Sequence, residues 1–247
     1  MKDKIVVVTG GSNGIGKNIV ESFLSEGSKV YFIDIDKERA EKITSKYKNV
    51  IYYSGDIADE NTLKEFVNTV LSKHNKIDYL INNACITKKG ILSNCSYDDF
   101  NYVLKVGVTA PYMLSKLFMN NFNEGGAIVN ISSTRAYMSQ EDTESYTAAK
   151  GGITSLTHAL SISLAGKVRV NSISPGWIET EENVKHSTED MSQHPVKRVG
   201  KVSDISNMVM FLCSDKASFI TGQDITVDGG MTKLMIYNDD KGWNYSN

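Results

Sequence analysis

Short runs of β-branched and aromatic residues alternate with amphipathic stretches along almost the whole chain, and nothing else limits the possible folds so strongly. The runs 4-KIVVVT-9, 29-KVYFID-34, 50-VIYYSG-55, 78-DYLINN-83, 126-GAIVNIS-132, 167-KVRVNSIS-174 and 224-DITVD-228 have the length and composition of strands. Amphipathic segments lie between them at 14–27, 37–48, 59–75, 97–122, 145–165 and 203–213; in the third, Leu63, Phe66, Val67, Val70 and Leu71 recur at helical spacing. Asp59 and Ser203 stand where an N-cap would start a helix. Strands that are nearly all apolar must be covered on both faces, which a parallel sheet flanked by crossover helices achieves. The expected fold is α/β: a doubly wound parallel sheet of about seven strands in a three-layer α/β/α sandwich. The alternation starts at residue 4 and meets no linker-like gap, repeat or low-complexity tract, and the chain has only three prolines. One domain over 1–247 is therefore expected, with a C-terminal extension after about residue 231. Two long connections, 132–145 and 175–202, interrupt the pattern.

Composition removes several classes of function. Apolar residues are 40% and charged residues 23%, enough for a core and against disorder. Net charge is −2 with no basic block, so no nucleic-acid partner is expected. Only the four strongly apolar residues 5-IVVV-8 follow Lys4, too few for a secretion signal or for a membrane span of ~20 residues. Cys85, Cys95 and Cys213 are odd in number and widely spaced, as in reduced cytosolic proteins. A cytoplasmic location without membrane association is the expectation. His74, His158, His186 and His194 show no ligand spacing, so no metal site is expected.

The stretch 9-TGGSNGIGKN-18 fits three patterns. Gly10 to Gly14 spells G-x-S-x-G, a hydrolase nucleophile elbow. That elbow needs an oxyanion-hole loop from an earlier strand, and here no earlier strand exists. Gly11 to Lys17 spells most of a nucleotide P-loop, but Asn18 stands where Ser or Thr would hold Mg²⁺. Thr9 to Gly16 spells T-G-x-x-x-G-x-G, a loop for a dinucleotide pyrophosphate. This pattern needs a strand before it, a helix after it and an acid about 20 residues on. All are present: Asp34 ends the second strand, 18 residues after Gly16. Gly10 and Gly14 would let backbone approach the pyrophosphate, and the following helix would point free N–H groups at it. Asp34 can accept hydrogen bonds from a ribose diol. The sheet is therefore expected to be Rossmann-like.

With these residues in place the chain resembles the short-chain dehydrogenases/reductases over about residues 3–231. The resemblance rests on 9-TGGSNGIG-16, Asp34, 55-GDI-57, 82-NNA-84, 130-NISS-133, 146-YTAAK-150, 169-RVNSISPG-176 and 227-VDGG-230, in the family's order and spacing. It implies Ser133, Tyr146 and Lys150 as catalytic residues. Their chemistry can be argued separately. Tyr146 and Lys150 are four apart, so they share a helix face. A nearby ammonium and the charge of oxidised nicotinamide are expected to lower a phenol whose free pKa is about 10. Tyr146 could then exchange a proton with an alcohol or carbonyl. Y-x-x-x-K alone describes any helix face; Ser133, thirteen residues before Tyr146, sets it apart. Ser132 is the less favoured neighbour. For the cofactor the resemblance implies Gly10, Ser12, Asn13, Gly14, Ile15, Gly16, Asp34, Asp56, Ile57, Asn83, Ala84, Tyr146, Lys150, Pro175, Gly176, Ile178 and Thr180. For Asp56 and Ile57, a turn and a core position are equally good readings.

Two positions depart from the family. Cys85 replaces a glycine and is expected to be a small packed residue. Gly107 replaces the family's catalytic asparagine, which is thought to hold a water linked to the lysine; a main-chain carbonyl can still bind such a water. Asp34 would repel a 2′-phosphate, Ser12, Asn13 and Ile35 stand where NADP enzymes often place cations, and Lys37 and Arg39 read as a solvated helix start. The expected cofactor is NAD. The expected substrate is a small alcohol or carbonyl compound, with sugars and polyols favoured by the polar loops 134–145 and 177–200. Arg135, Lys88 and Lys89 could meet a substrate carboxylate. A hydroxysteroid or 3-oxoacyl reductase, or a non-catalytic NAD-binding redox sensor, is the alternative. Leu234, Met235, Ile236, Tyr237, Trp243 and Tyr245 in the tail suggest docking on this or a neighbouring subunit, with a partner's substrate cleft as one target. The resemblance also implies a homodimer or homotetramer packed through the 97–122 and 145–165 helices.

Overall fold

The computed structural model describes residues 1–181 and 183–242. Trp243 and Tyr245, noted above in the tail, lie outside the described residues. The strands are β1 (Ile5–Thr9), β2 (Lys29–Asp34), β3 (Val50–Ser54), β4 (Ile77–Asn82), β5 (Phe122–Ile131), β6 (Arg169–Pro175), β7 (Ile178–Glu179), β8 (Gly200–Lys201) and β9 (Asp224–Val227). The helices are α1 (Gly14–Ser25), α2 (Lys37–Lys46), α3 (Glu60–Leu71), α4 (Tyr97–Leu104), α5 (Ala110–Phe118), α6 (Glu144–Ser163), α7 (Thr188–Ser192) and α8 (Val202–Cys213). Seven strands form one parallel sheet in the order β3-β2-β1-β4-β5-β6-β9; β7 and β8 pair separately. The expected Rossmann-like α/β fold is what the chain adopts.

Side chains along a strand point to alternate faces, and β1 shows how the two cores arise. Ile5 and Val7 enter the cluster that holds Phe66 of α3, Phe118 of α5 and Leu160 of α6. Val6 and Val8 enter the opposite cluster, with Phe23 of α1, Ile43 of α2 and Val209 of α8. Phe23, Phe66 and Phe118 are completely buried, and each such side chain stabilises the fold by roughly 1.5–3 kcal/mol. The chain winds outward from β1 to β3, then crosses back to β4 on the other side of β1. That reversal opens a crevice at the carboxyl ends of β1 and β4, where such sheets bind ligands.

Asp59 caps α3, accepting from Thr62 N at 2.7 Å. Ser203 is not a cap. It lies inside α8, whose N-cap is Lys201. The Asp204 carboxylate accepts from Lys201 N at 2.8 Å and is gripped by both Arg198 nitrogens, so the helix starts earlier than the Ser203 signal suggests. The segment 97–122 is helical as far as Phe118, with a change of winding inside it. α4 ends at Leu104, a π-turn covers Lys105–Thr109, α5 ends at Phe118, and Phe122 already begins β5. Pro111 explains the turn. It has no N–H to bond back to Gly107, and Ala110 N instead bonds Lys105 O five residues away.

Gly107 sits in that turn, tight against α6. A Cβ there would lie 2.9 Å from Ala149 Cβ, closer than carbon atoms pack. Replacement by the family's asparagine therefore overpacks the contact. Gly107→Asn is expected to lower unfolding free energy by about 1–3 kcal/mol in urea titrations and not to raise turnover.

Candidate active site

Thr9 ends β1 at the crevice. Its hydroxyl accepts from Asn83 N and Ala84 N, both at 3.0 Å, just past the end of β4. Asn83 Nδ2 returns bonds to Thr9 O at 3.1 Å and Gly10 O at 2.9 Å. The two chain ends are thus laced together. Gly10 has φ +68°, and a Cβ on it would lie 2.8 Å from Ala84 Cα. A Cβ on Gly16 would fall 1.9 Å from Gly10 O. No other residue fits either place. α1 then starts with Asn13 as N-cap, without a side-chain cap or an acid in its first turn. Its free N–H groups and positive dipole end are left for an anion.

A cleft of about 480 Å³ runs from this loop across the sheet ends, and every residue assigned above to cofactor or chemistry lines it. Asp34 is held in place by Ser12 N on one oxygen and Asp36 N on the other, both at 3.0 Å. Asp56 is turned toward structure: it accepts from Ala58 N at 2.9 Å and the Tyr102 hydroxyl at 3.0 Å. Ile57 is buried in the core yet reaches the wall. Thr180 lies over Gly14, 3.2 Å from where a Cβ would be. Sequence reading missed Ile35, Tyr102, Val106 and Ile131 as lining residues, because apolar residues at strand and helix ends look like ordinary core. Arg39 is a correction: it lines the cleft rather than merely starting a solvated helix, with its guanidinium 3.4 Å from Asp36.

β5 and α6 deliver the reactive groups. Lys150 is 3% exposed, and its ammonium donates to Ile131 O at 2.8 Å. The same nitrogen lies 5.4 Å from the centre of the Tyr146 ring. Ser133 lies close enough to Tyr146 to draw down its proton affinity. Ser132 faces elsewhere, donating to Lys150 O at 2.9 Å. The expected lowering of the Tyr146 pKa is not what this arrangement produces. Burial raises the phenol above its ordinary value, and Lys150, Ser133 and Arg135 oppose that only in part. Cys85 is also corrected. It is exposed on the cleft wall rather than packed, and it adds to the upward push on Tyr146.

A further group of contacts orders the rim. Gly90 N, Leu92 N and Ser93 N donate to one oxygen of Asp142 at 3.0, 2.9 and 3.1 Å, and the Ser93 hydroxyl donates to the other. Ile91 N donates to Glu144 at 3.1 Å. Asp142 itself is left-handed at φ +63°. The loop after β4 is thereby latched to the start of α6. No sequence signal marked this latch, since its halves lie about fifty residues apart. Lys88 is 3.1 Å from Asp99 and so already has a carboxylate partner. In the loop after β6, Trp177 stacks edge-on to His186, and His186 lies 3.3 Å from Glu179. In the tail, Met235, Ile236 and Tyr237 are exposed, so these groups do not dock on their own subunit.

Residues 10–232 match the family model described as enoyl-(acyl carrier protein) reductase. An uncharacterized oxidoreductase of Thermotoga maritima is 40% identical, with 97% of this chain and all of that one covered. Among solved structures, the apo form of a SCOR enzyme from Clostridium thermocellum superposes with TM-score 0.92 at 49% identity, each chain fully covered. A 3-ketoacyl-(acyl-carrier-protein) reductase from Brucella melitensis, solved with NADH, gives TM-score 0.85 at 31% identity, covering 94% of this chain and 99% of that one.

The donors gathered on Asp142 hold its carboxyl below the usual carboxylate range, the Ser93 hydroxyl first among them. A depressed native pKa stabilises the latch above the unfolded carboxyl's pKa, and this stabilisation fades as pH falls through the native value. Asp142→Ala is expected to speed amide exchange at Gly90, Leu92 and Ser93 by about tenfold or more at pH 7. Acidification of the wild type below about pH 4 should approach the same pattern.

Proposed function

The chain belongs to the short-chain dehydrogenase/reductase family, and on that premise we propose that it moves a hydride between NAD(H) and a secondary alcohol or its ketone. One observation carries this reading: Ser133, Tyr146 and Lys150 line the same cleft as the glycine loop and Asp34. The residues present fit a dinucleotide. The absence of any Cβ at Gly10 and Gly16 leaves backbone next to backbone, and the uncapped start of α1 suits a pyrophosphate. Asp34 would take the adenosine ribose diol. Asn83 and Ala84 would lie along the middle of the cofactor, and Pro175, Gly176, Ile178 and Thr180 beside the carboxamide. Bound there, the nicotinamide supplies the hydride donor or acceptor.

The protein's own part is proton handling. In reduction the Tyr146 hydroxyl donates to the carbonyl oxygen, while Ser133 Oγ hydrogen-bonds that oxygen and holds it in line. In oxidation the Tyr146 phenolate takes the alcohol proton. Lys150, buried and tied to Ile131 O, stabilises the phenolate it faces. A phenol raised by burial is a ready donor at neutral pH, and becomes an acceptor only under alkaline conditions or with further positive charge beside it. The polar loops 134–145 and 177–200 favour a small polar substrate such as a sugar or polyol. The Brucella melitensis neighbour solved with NADH supports a nicotinamide cofactor. Exposed Tyr112 on α5 and Ile162 on α6, with open space around Gly151, support assembly of two or four copies through these helices.

Three measurements test the reading. NAD is expected to exceed NADP by at least about tenfold in kcat/KM, with Asp34→Ala narrowing the gap. Tyr146→Phe should cost roughly 10²–10⁴ in kcat while NADH still binds in fluorescence titrations. The kcat/KM of alcohol oxidation should climb with pH as Tyr146 ionises, and Lys150→Met should move that climb further toward alkaline pH. Equal use of NADPH would remove the cofactor assignment, and full activity in Tyr146→Phe would remove the mechanism.

A further inference from the structure

Arg135 lies two residues beyond Ser133, in the turn that leaves β5. Its backbone N–H donates to Ser133 Oγ at 3.1 Å, which ties its position to that serine. Its guanidinium reaches across to Thr143 Oγ1 at 3.2 Å and to Gln140 Oε1. Both partners are neutral. Among the described residues no carboxylate lies within ion-pairing distance of Arg135.

This is unusual company for a guanidinium, which bonds best to a carboxylate through two parallel N–H groups. The acids nearest in sequence are engaged elsewhere. Asp142 is surrounded by the donors of residues 90–93, and Glu144 accepts from Ile91 N. Glu141 is exposed and makes no ion pair with it. Arg135 is close enough to Tyr146 to pull its proton affinity down. The Lys150 ammonium adds a second positive charge beside the same phenol. The structure thus places an arginine whose guanidinium bonds only neutral oxygens at the start of α6, the helix that carries Tyr146 and Lys150.

We propose that the missing anion belongs to the substrate: Arg135 receives a carboxylate, so the alcohol is a hydroxy acid and the ketone an oxo acid. The proposal rests on the hydride-transfer reading of the cleft and narrows its substrate class. In oxidation the carbinol C–H bond breaks, and its hydrogen leaves with both electrons as hydride to the oxidised cofactor. The hydroxyl proton passes to the Tyr146 phenolate, a C=O bond forms, and the carboxylate stays on Arg135 unchanged. Arg135 acts on binding and orientation, so its effect belongs mainly in KM. Lys88 is not an equivalent receptor, because Asp99 already occupies it. A neutral sugar or polyol would leave Arg135 with only its neutral partners, Thr143 and Gln140.

Matched probes test this. Wild-type kcat/KM is measured for 3-hydroxybutanoate against butane-1,3-diol, and for lactate against propane-1,2-diol. At least one acid is expected to exceed its neutral counterpart by about thirtyfold or more. Arg135→Gln should bring that ratio to within about threefold of unity, chiefly through KM, and Arg135→Lys should keep an intermediate value. Lys73→Gln, an exposed charge just past α3, should leave the ratio unchanged. Calorimetry gives a readout without turnover. Acetoacetate should bind the protein loaded with oxidised NAD, a pair with no hydride to transfer, more tightly than 4-hydroxybutan-2-one, and Arg135→Gln should weaken acetoacetate by about tenfold or more. A wild type that prefers the neutral probes, or an Arg135→Gln ratio and acetoacetate affinity equal to wild type, overturns the proposal. Failure of the hydride-transfer reading looks different: no NADH binding and no absorbance change with any alcohol. In that case acetoacetate binding to cofactor-free wild type and Arg135→Gln still decides the role of Arg135.

Discussion

The peptide after β1 and the peptide after β4 touch with no room for a side chain between them. Gly10 is left-handed against Ala84, and Gly16 lies so near Gly10 O that even one methyl group is excluded. The bonds from Asn83 and Ala84 to Thr9 and Gly10 set the spacing. From this one contact the rest of the cleft follows. It brings the start of α1 to the crevice floor, and the parallel register from β4 through β5 to β6 then sets where Ser133 and Pro175 emerge. A binding site at this crevice is a consequence of the strand order reversing between β1 and β4. The particular chemistry is a consequence of what β5 and α6 place beside it.

That chemistry is a balance between burial and charge. Enclosing Tyr146 raises its pKa, while Lys150, Ser133 and Arg135 draw it down. Burial is the larger influence in the free protein, and any added positive charge in the cleft opposes it. Enclosure is costly for Lys150 as well: an ammonium with 3% exposure and one carbonyl bond to Ile131 is poorly compensated. The same ammonium lies 5.4 Å from the centre of the Tyr146 ring.

Sequence patterns carried the sheet, because period-two and period-3.6 hydrophobicity is a local property, and each strand and helix reports its own. The glycine loop was legible for a related reason, since only glycine permits the close contacts, and Asp34 was legible from its place at the end of β2. Ser203 misled because the stronger local bonds belong to Asp204, gripped by Arg198. The change of winding at 105–109 was legible in principle: Pro111 removes the N–H that would close on Gly107. The Asp142 latch was not legible. Its four donors come from residues 90–93, and an isolated Asp in a polar loop reads as a solvated charge. The exposure of Cys85 depends on the same loop, and the upward shift of Tyr146 depends on total enclosure, which no spacing of residues encodes.

The substitution at 107 bears on whether this is an enzyme or only a binder of dinucleotide. A family asparagine is missing there, yet the backbone around it is arranged rather than relaxed. Pro111 leaves Gly107 O without its α-helical donor, and the contact with Ala149 presses this turn against the residue next to Lys150. A carbonyl freed in that way can hold a water where the asparagine side chain would have held one. A protein that only sensed the dinucleotide would gain stability from an apolar residue in place of Lys150, since a buried ammonium is expensive and a well-packed methylene chain is not. Keeping the ammonium, with the Gly107 turn pressed against the residue beside it, is costly for a protein that only binds a dinucleotide.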